Sequence, residues 1–136
     1  MSEDVVISQE TAPVRYDARV VARAAAADVV AVLVFAVVGR ASHDEGLTAS
    51  GLATTAWPFV VGVAGGWAGV FLARMSPLSY PAAAMMLVKT LVLGLVLRVI
   101  FTDGGAPVSF VIVAGIFLGA CFLGWRAAVR ALSSRA

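Results

Sequence analysis

At 136 residues the chain has the length of one ordinary domain, yet 61% of it is hydrophobic and 13% charged, against about 45–50% and about 25% in soluble domains. So much apolar surface excludes an ordinary water-soluble fold. Ten Lys and Arg against eight Asp and Glu, a net charge of +2, exclude the clustered basic face of a nucleic-acid binder.

Residues 1–18 mix Glu3, Asp4, Glu10, Arg15 and Asp17 with Pro13 and read as a mobile polar tail. Arg19 and Arg23 lead into the first apolar run, about 20–39, which carries Asp28. A cleaved signal peptide is the rival reading there, but Asp28 interrupts the run and the preceding tail is long and partly acidic. A polar loop follows. The second span, about 51–73, holds no charge and is long enough to cross a bilayer. After a loop containing Arg74, Pro81 is placed to open the third span, about 81–101, with Ser79 as a nearby cap. This span carries Lys89 and Arg98. The turn TDGGAP leads to an uncharged fourth span, about 107–125, and a short basic helical tail over 127–136.

The fold class expected is all-α, a polytopic bundle of four transmembrane helices in the cell membrane. Arg15, Arg19, Arg23, Arg74, Arg126, Arg130 and Arg135 flank one set of span ends, while the first and third loops carry His43, Asp44, Glu45 and Asp103 with Arg40. The arginine bias predicts both termini and the second loop inside, N-in and C-in, and the other loops outside. Trp125 then falls at the inner interface. The single cysteine, Cys121, lies in an apolar run; it has no intrachain disulfide partner and reads as a small buried thiol.

In lipid, helices associate through small residues and polar contacts. Gly62 and Gly66 in the second span, and Gly115 and Gly119 in the fourth, are four apart and are the expected packing glycines, within the chain or between two copies. There is also an internal echo. Arg40 and Arg98 end spans one and three, and spans two and four share a proline (Pro58, Pro107), glycines and a Gly-Trp pair (Gly66–Trp67, Gly124–Trp125). That pattern suits a parallel two-plus-two repeat about the membrane normal. Pro58 should bend the second helix.

A charge in a span costs about 2.5–3.5 kcal/mol at the centre on insertion scales, so each needs a reason. Asp28 and Lys89 lie at similar depth from the same side and carry opposite signs, so an intramembrane ion pair between them is predicted; separate snorkelling is the alternative. Arg98 lies near the outer end. With Arg40, His43, Trp57 and Ser109 it defines an expected outer recess, a seat for an anion or a small polar head group. Pairing of Arg98 with a loop carboxylate such as Glu45 or Asp103 is the simpler reading. One histidine and no His/Cys cluster argue against zinc or bis-ligated haem. No catalytic triad, P-loop or dinucleotide fingerprint is present. Neither a cofactor nor catalysis is expected.

The stretches DVVAVLVFAVVGRASH (from Asp28), TAWPFVVG (from Thr55) with Gly66–Trp67, the row Thr90, Gly94, Arg98, and PVSFVIVAGIFLG leading to Gly124–Trp125 together resemble domain-of-unknown-function family 3054, small prokaryotic membrane proteins. The family pattern reads Pro-Ser-Phe where this chain has Pro107-Val108-Ser109-Phe110, which shifts the turn before the fourth span. A lysine at position 89 is not a feature of that pattern, which makes the Asp28–Lys89 pair local to this chain. The resemblance implies the four-helix architecture and brings no activity.

Three functional classes follow. The first is a non-enzymatic membrane component acting through self-assembly or a membrane-protein partner. The second is a small transporter or channel subunit with polar residues between protomers. The third is a binder of a lipid or quinone head group in the outer recess. The bilayer is a partner in all three, and nucleic acid in none.

Overall fold

Each apolar run becomes one helix, opened by a side chain or a proline that suits a first turn. In a computed structural model describing residues 14–43 and 45–136, α1 is Ala18–Ser42, α2 Ala49–Leu72, α3 Tyr80–Phe101 and α4 Val108–Ser133. Asp17 accepts from the Arg19 amide at 2.8 Å, Thr48 from the Gly51 amide at 3.1 Å and Ser79 from the Ala82 amide at 3.2 Å. These bonds satisfy amides that a first turn leaves unpaired. Pro81 sits in the first turn of α3 and Pro107 caps α4, positions where a missing N–H costs nothing. α2 continues through Pro58 without a break. All four helices are long and apolar enough to cross a membrane. The shortest has 22 residues, about 33 Å at 1.5 Å per residue against a hydrocarbon core of about 30 Å. Of the polar tail expected over 1–18, residues 1–13 lie outside those described, and Ala18 already belongs to α1. The basic tail continues α4 as far as Ser133 and leaves it for the last three residues.

Short connections turn each helix back on the one before. Among the described residues, α1 packs on α2, α2 on α3, α3 on α4 and α4 on α1, with no close backbone approach across either diagonal; side chains meet across one of them, Phe59 of α2 and Phe110 of α4 lying 6.1 Å apart between ring centres. The bundle is therefore a closed ring with two distinct ends. The termini end holds the start of α1, the α2–α3 loop and the end of α4. The hairpin end holds the α1–α2 and α3–α4 loops.

α2 and α3 pack most closely. A Cβ at position 62 would stand 2.7 Å from the Thr90 carbonyl oxygen and 2.8 Å from the Thr90 Cα, and one at position 66 would meet Met86 Sδ at 2.8 Å. Gly65 and Gly69 lie against Leu93 and Met85, and Gly94 receives the Phe59 ring. On α4, Gly119 and Gly115 meet Leu87 and Leu91 of α3 at 3.3 and 3.7 Å from an added Cβ. The glycine rows of α2 and α4 are thus used inside the chain. Where the four helices converge, Phe35 sits 5.5 Å from Phe59, 5.8 Å from Phe110 and 5.7 Å from Phe117, centroid to centroid. The outside is apolar as well: Val34, Val88, Val92, Ile112 and Ile116 are exposed, which suits lipid as the solvent.

The two hairpins repeat each other at a constant offset of 58 positions, which pairs 40 with 98. The buried stripe Ala24, Asp28, Val32, Ala36 of α1 falls on the buried stripe Ala82, Met86, Thr90, Gly94 of α3. Gly66–Trp67 falls on Gly124–Trp125. Pro58 and Pro107 do not correspond; Pro58 falls on Ile116.

Candidate functional site

Two polar clusters interrupt the apolar interior, one at each end. At the termini end Asp28 is fully buried, and its partner is Arg126, also fully buried. Arg126 Nη1 donates to Asp28 Oδ1 at 2.9 Å and Nη2 to Oδ2 at 3.0 Å, a two-pronged fork on one carboxylate. Trp125 Nε1 adds a third bond to Oδ1 at 2.9 Å. Arg126 also donates from Nε to the Pro77 carbonyl at 2.9 Å and from Nη1 to the Phe122 carbonyl at 3.2 Å, and its guanidinium lies 4.2 Å from the centre of the Trp125 ring. Arg126 thereby ties α1, α4 and the α2–α3 loop together.

The expected Asp28–Lys89 pair does not form. α1 and α3 sit on a diagonal of the ring, and Lys89 is exposed on the outer flank of α3 between Val88 and Val92. Thr90, one residue on, faces inward and is fully buried; one residue is a rotation of about 100° on a helix. The partner was missed because Arg126 resembles the other arginines that follow a span. The available signal was geometric: in an up-down ring the end of α4 returns to the level of Asp28 on an adjacent helix.

The repeat makes this cluster one-sided. The counterparts of Asp28 and Arg126 are Met86 and Ala68, and that of Trp125 is Trp67. Lacking a carboxylate opposite, Trp67 Nε1 is buried with no hydrogen-bond partner among the described residues.

At the hairpin end a cavity of about 360 Å³ opens between α1 and α4. Its polar side is formed by Arg40, His43, Glu45, Thr55, Arg98 and Ser109, and its apolar side by Phe35, Gly39, Phe110 and Val113. The two arginines are held by the same device. Arg40 donates from Nε to the Gly46 carbonyl at 3.0 Å and from Nη2 to the Glu45 carbonyl at 2.7 Å. Arg98 donates from Nε to the Gly105 carbonyl at 2.8 Å and from Nη2 to the Gly104 carbonyl at 3.3 Å. Gly46 and Gly105 have positive φ, 72° and 59°, a backbone that glycine adopts without strain. The arginines differ in what remains. Arg40 Nη1 is engaged by Glu45 Oε2 at 3.1 Å and by Thr55 Oγ1 at 3.4 Å. Arg98 lies 4.4 Å from the centre of the Phe110 ring, and its Nη1 has no hydrogen-bond partner among the described residues. Of the residues expected here, Arg40, His43, Arg98 and Ser109 line the cavity. Trp57 does not; it is exposed on α2 and packs at 6.2 Å on Phe101.

Such a cavity offers a planar cation beside an aromatic wall, which suits an anionic group. Among the described residues no group of three or more His, Cys, Asp and Glu side chains gathers as metal ligands would.

A family model described as a protein of unknown function, DUF3054, matches residues 25–129. The chain belongs to this family. The DUF3054 match covers α2 and α3, most of α1 and α4, and every residue of both clusters. No curated protein matches the chain, and no solved structure does. Belonging to DUF3054 assigns no activity.

Proposed function

We propose that this protein is a non-enzymatic, multi-pass component of the cell membrane that binds an anionic group in the hairpin-end recess. Arg98 carries the proposal. Its guanidinium is oriented by two loop carbonyls and the Phe110 face, it lines the cavity, and its Nη1 has no hydrogen-bond partner among the described residues. Arg40 is instead ion-paired with Glu45 at 3.1 Å. The two other classes have less support. The glycine rows that suggested self-assembly are occupied by α3, and aromatic side chains fill the interior between the two polar ends.

The orientation belongs to the same proposal. Arg15, Arg19, Arg23, Arg74, Arg130 and Arg135 lie at the termini end and only Arg40 and Arg98 at the other; Arg126 is already spent on Asp28. The positive-inside rule places the termini in the cytoplasm and the recess on the outer face.

The test is a titration of purified protein in a neutral detergent with inorganic phosphate and, in mixed micelles, with dioleoyl phosphatidic acid. Wild type binds at least one of them saturably, and Arg98→Gln weakens that binding about tenfold, the worth of one charge-assisted hydrogen bond. Equal binding by the two proteins would overturn the assignment.

A further inference from the structure

The seam that holds the recess is built unlike its symmetry counterpart. The repeat equates the α4–α1 contact with the α2–α3 contact, yet α2–α3 is the closest pair in the ring and α4–α1 the sparsest. The residues at the two seams differ. Backbone meets backbone at Gly62 and Thr90. Their counterparts are Ala120 and Val32, and Ala120 is exposed where Gly62 is buried. The α4–α1 seam is fastened at the termini end by Asp28 with Trp125 and Arg126 and halfway by Phe35 against Phe117. Beyond Phe35 it opens into the recess.

The open part has two chemistries. Its hairpin-end side carries Arg98. Its flank is apolar: Val113 is exposed, and Gly39, which also lines the cavity, is so open that an added Cβ would meet nothing within 4 Å. Val38 and Ile112, one residue away on each helix, are exposed as well. A dissolved anion would use the cation and gain nothing from this flank. A molecule with an anionic head and an apolar chain uses both.

We infer that the occupant is a membrane-borne anionic amphiphile that enters sideways between α1 and α4, with its head at Arg98 and its chain along Gly39 and Val113. The inference rests on the proposed anion site and adds the class of ligand and its route.

Equilibrium binding of tritiated dioleoyl phosphatidic acid and of tritiated oleate to the full chain in dodecyl maltoside tests it. At least one binds saturably. Inorganic phosphate, glycerol 3-phosphate and uncharged dioleoylglycerol each compete at least tenfold more weakly than the unlabelled lipid. Gly39→Trp and Val113→Trp, on opposite walls, each lower the affinity at least tenfold while the thermal unfolding midpoint stays at the wild-type value. Should Gly39→Trp fail to fold, Val113→Trp on the exposed wall carries the test. Competition by glycerol 3-phosphate as strong as by the lipid would overturn the sideways amphiphile and leave the anion site standing. Competition by dioleoylglycerol as strong as by the lipid would overturn the anionic head. Unchanged lipid binding by both wall variants would overturn the route. No saturable binding of either lipid, with phosphate still bound and lost in Arg98→Gln, would remove the amphiphile alone; failure of every probe would remove the underlying site too.

Discussion

Asp28 exchanges its hydration for three directed bonds, two from the Arg126 fork and one from the Trp125 indole. Inside a low-dielectric bundle that exchange stands only while both charges are present. Removing one leaves the other buried and unpaired, at a cost of about 3–5 kcal/mol, whereas replacing both with apolar side chains of similar size is often neutral. Asp28→Leu and Arg126→Met should therefore each destabilise the protein by about that amount, and the double variant by clearly less than either. Unfolding in detergent with increasing dodecyl sulfate measures all three. Lys89→Met is the control: its side chain is exposed, and the midpoint should not fall. Depth along the helix pointed to Lys89 as the partner of Asp28, but depth says nothing about rotation around a helix, and the carboxylate is met instead by Arg126 from α4.

At the level of the helix pair, glycine decides which seams close. Gly62 allows α2 to rest on the backbone of Thr90, and the helix must move away to admit any side chain there. Overpacking of this kind costs about 1–3 kcal/mol, so Gly62→Val should lower stability by that amount. Gly124 is also a helical glycine, but an added Cβ there would meet nothing within 4 Å. Gly124→Val should stay within about 0.5 kcal/mol of wild type, as exposed sites do. The two changes are chemically identical, so the difference between them reads packing alone. Spacing identified Gly62, Gly66, Gly115 and Gly119 as packing glycines. It did not reveal that α3 takes up both rows.

For the whole molecule, an internal repeat gives two similar hairpins, and a few differences make their ring unequal: a carboxylate–guanidinium pair on one side, glycine contact on the other, and a recess at the hairpin end of the α4–α1 seam. The direction in which that ring crosses the bilayer fixes which side the recess samples. With Cys121 replaced by alanine, Leu47→Cys at the hairpin end should react with an impermeant maleimide added to intact cells, and Ser134→Cys at the termini end should react only after lysis. Both positions are exposed. The reverse pattern would place the recess in the cytoplasm.

Hydropathy and cap chemistry are local, so the chain by itself determined the four helices, the Ser79 and Pro81 start of α3, the two polar ends and the grouping of Arg40, His43, Arg98 and Ser109 in one of them. The loops are too short to put these residues anywhere else. The partner of Asp28, the outward turn of Lys89, the exclusion of Trp57 from the recess and the gap between α1 and α4 were decided only by tertiary structure. Helices that are apolar on every side carry little record of which face meets a neighbour. Ring order and helix rotation therefore emerge only when all four pack together.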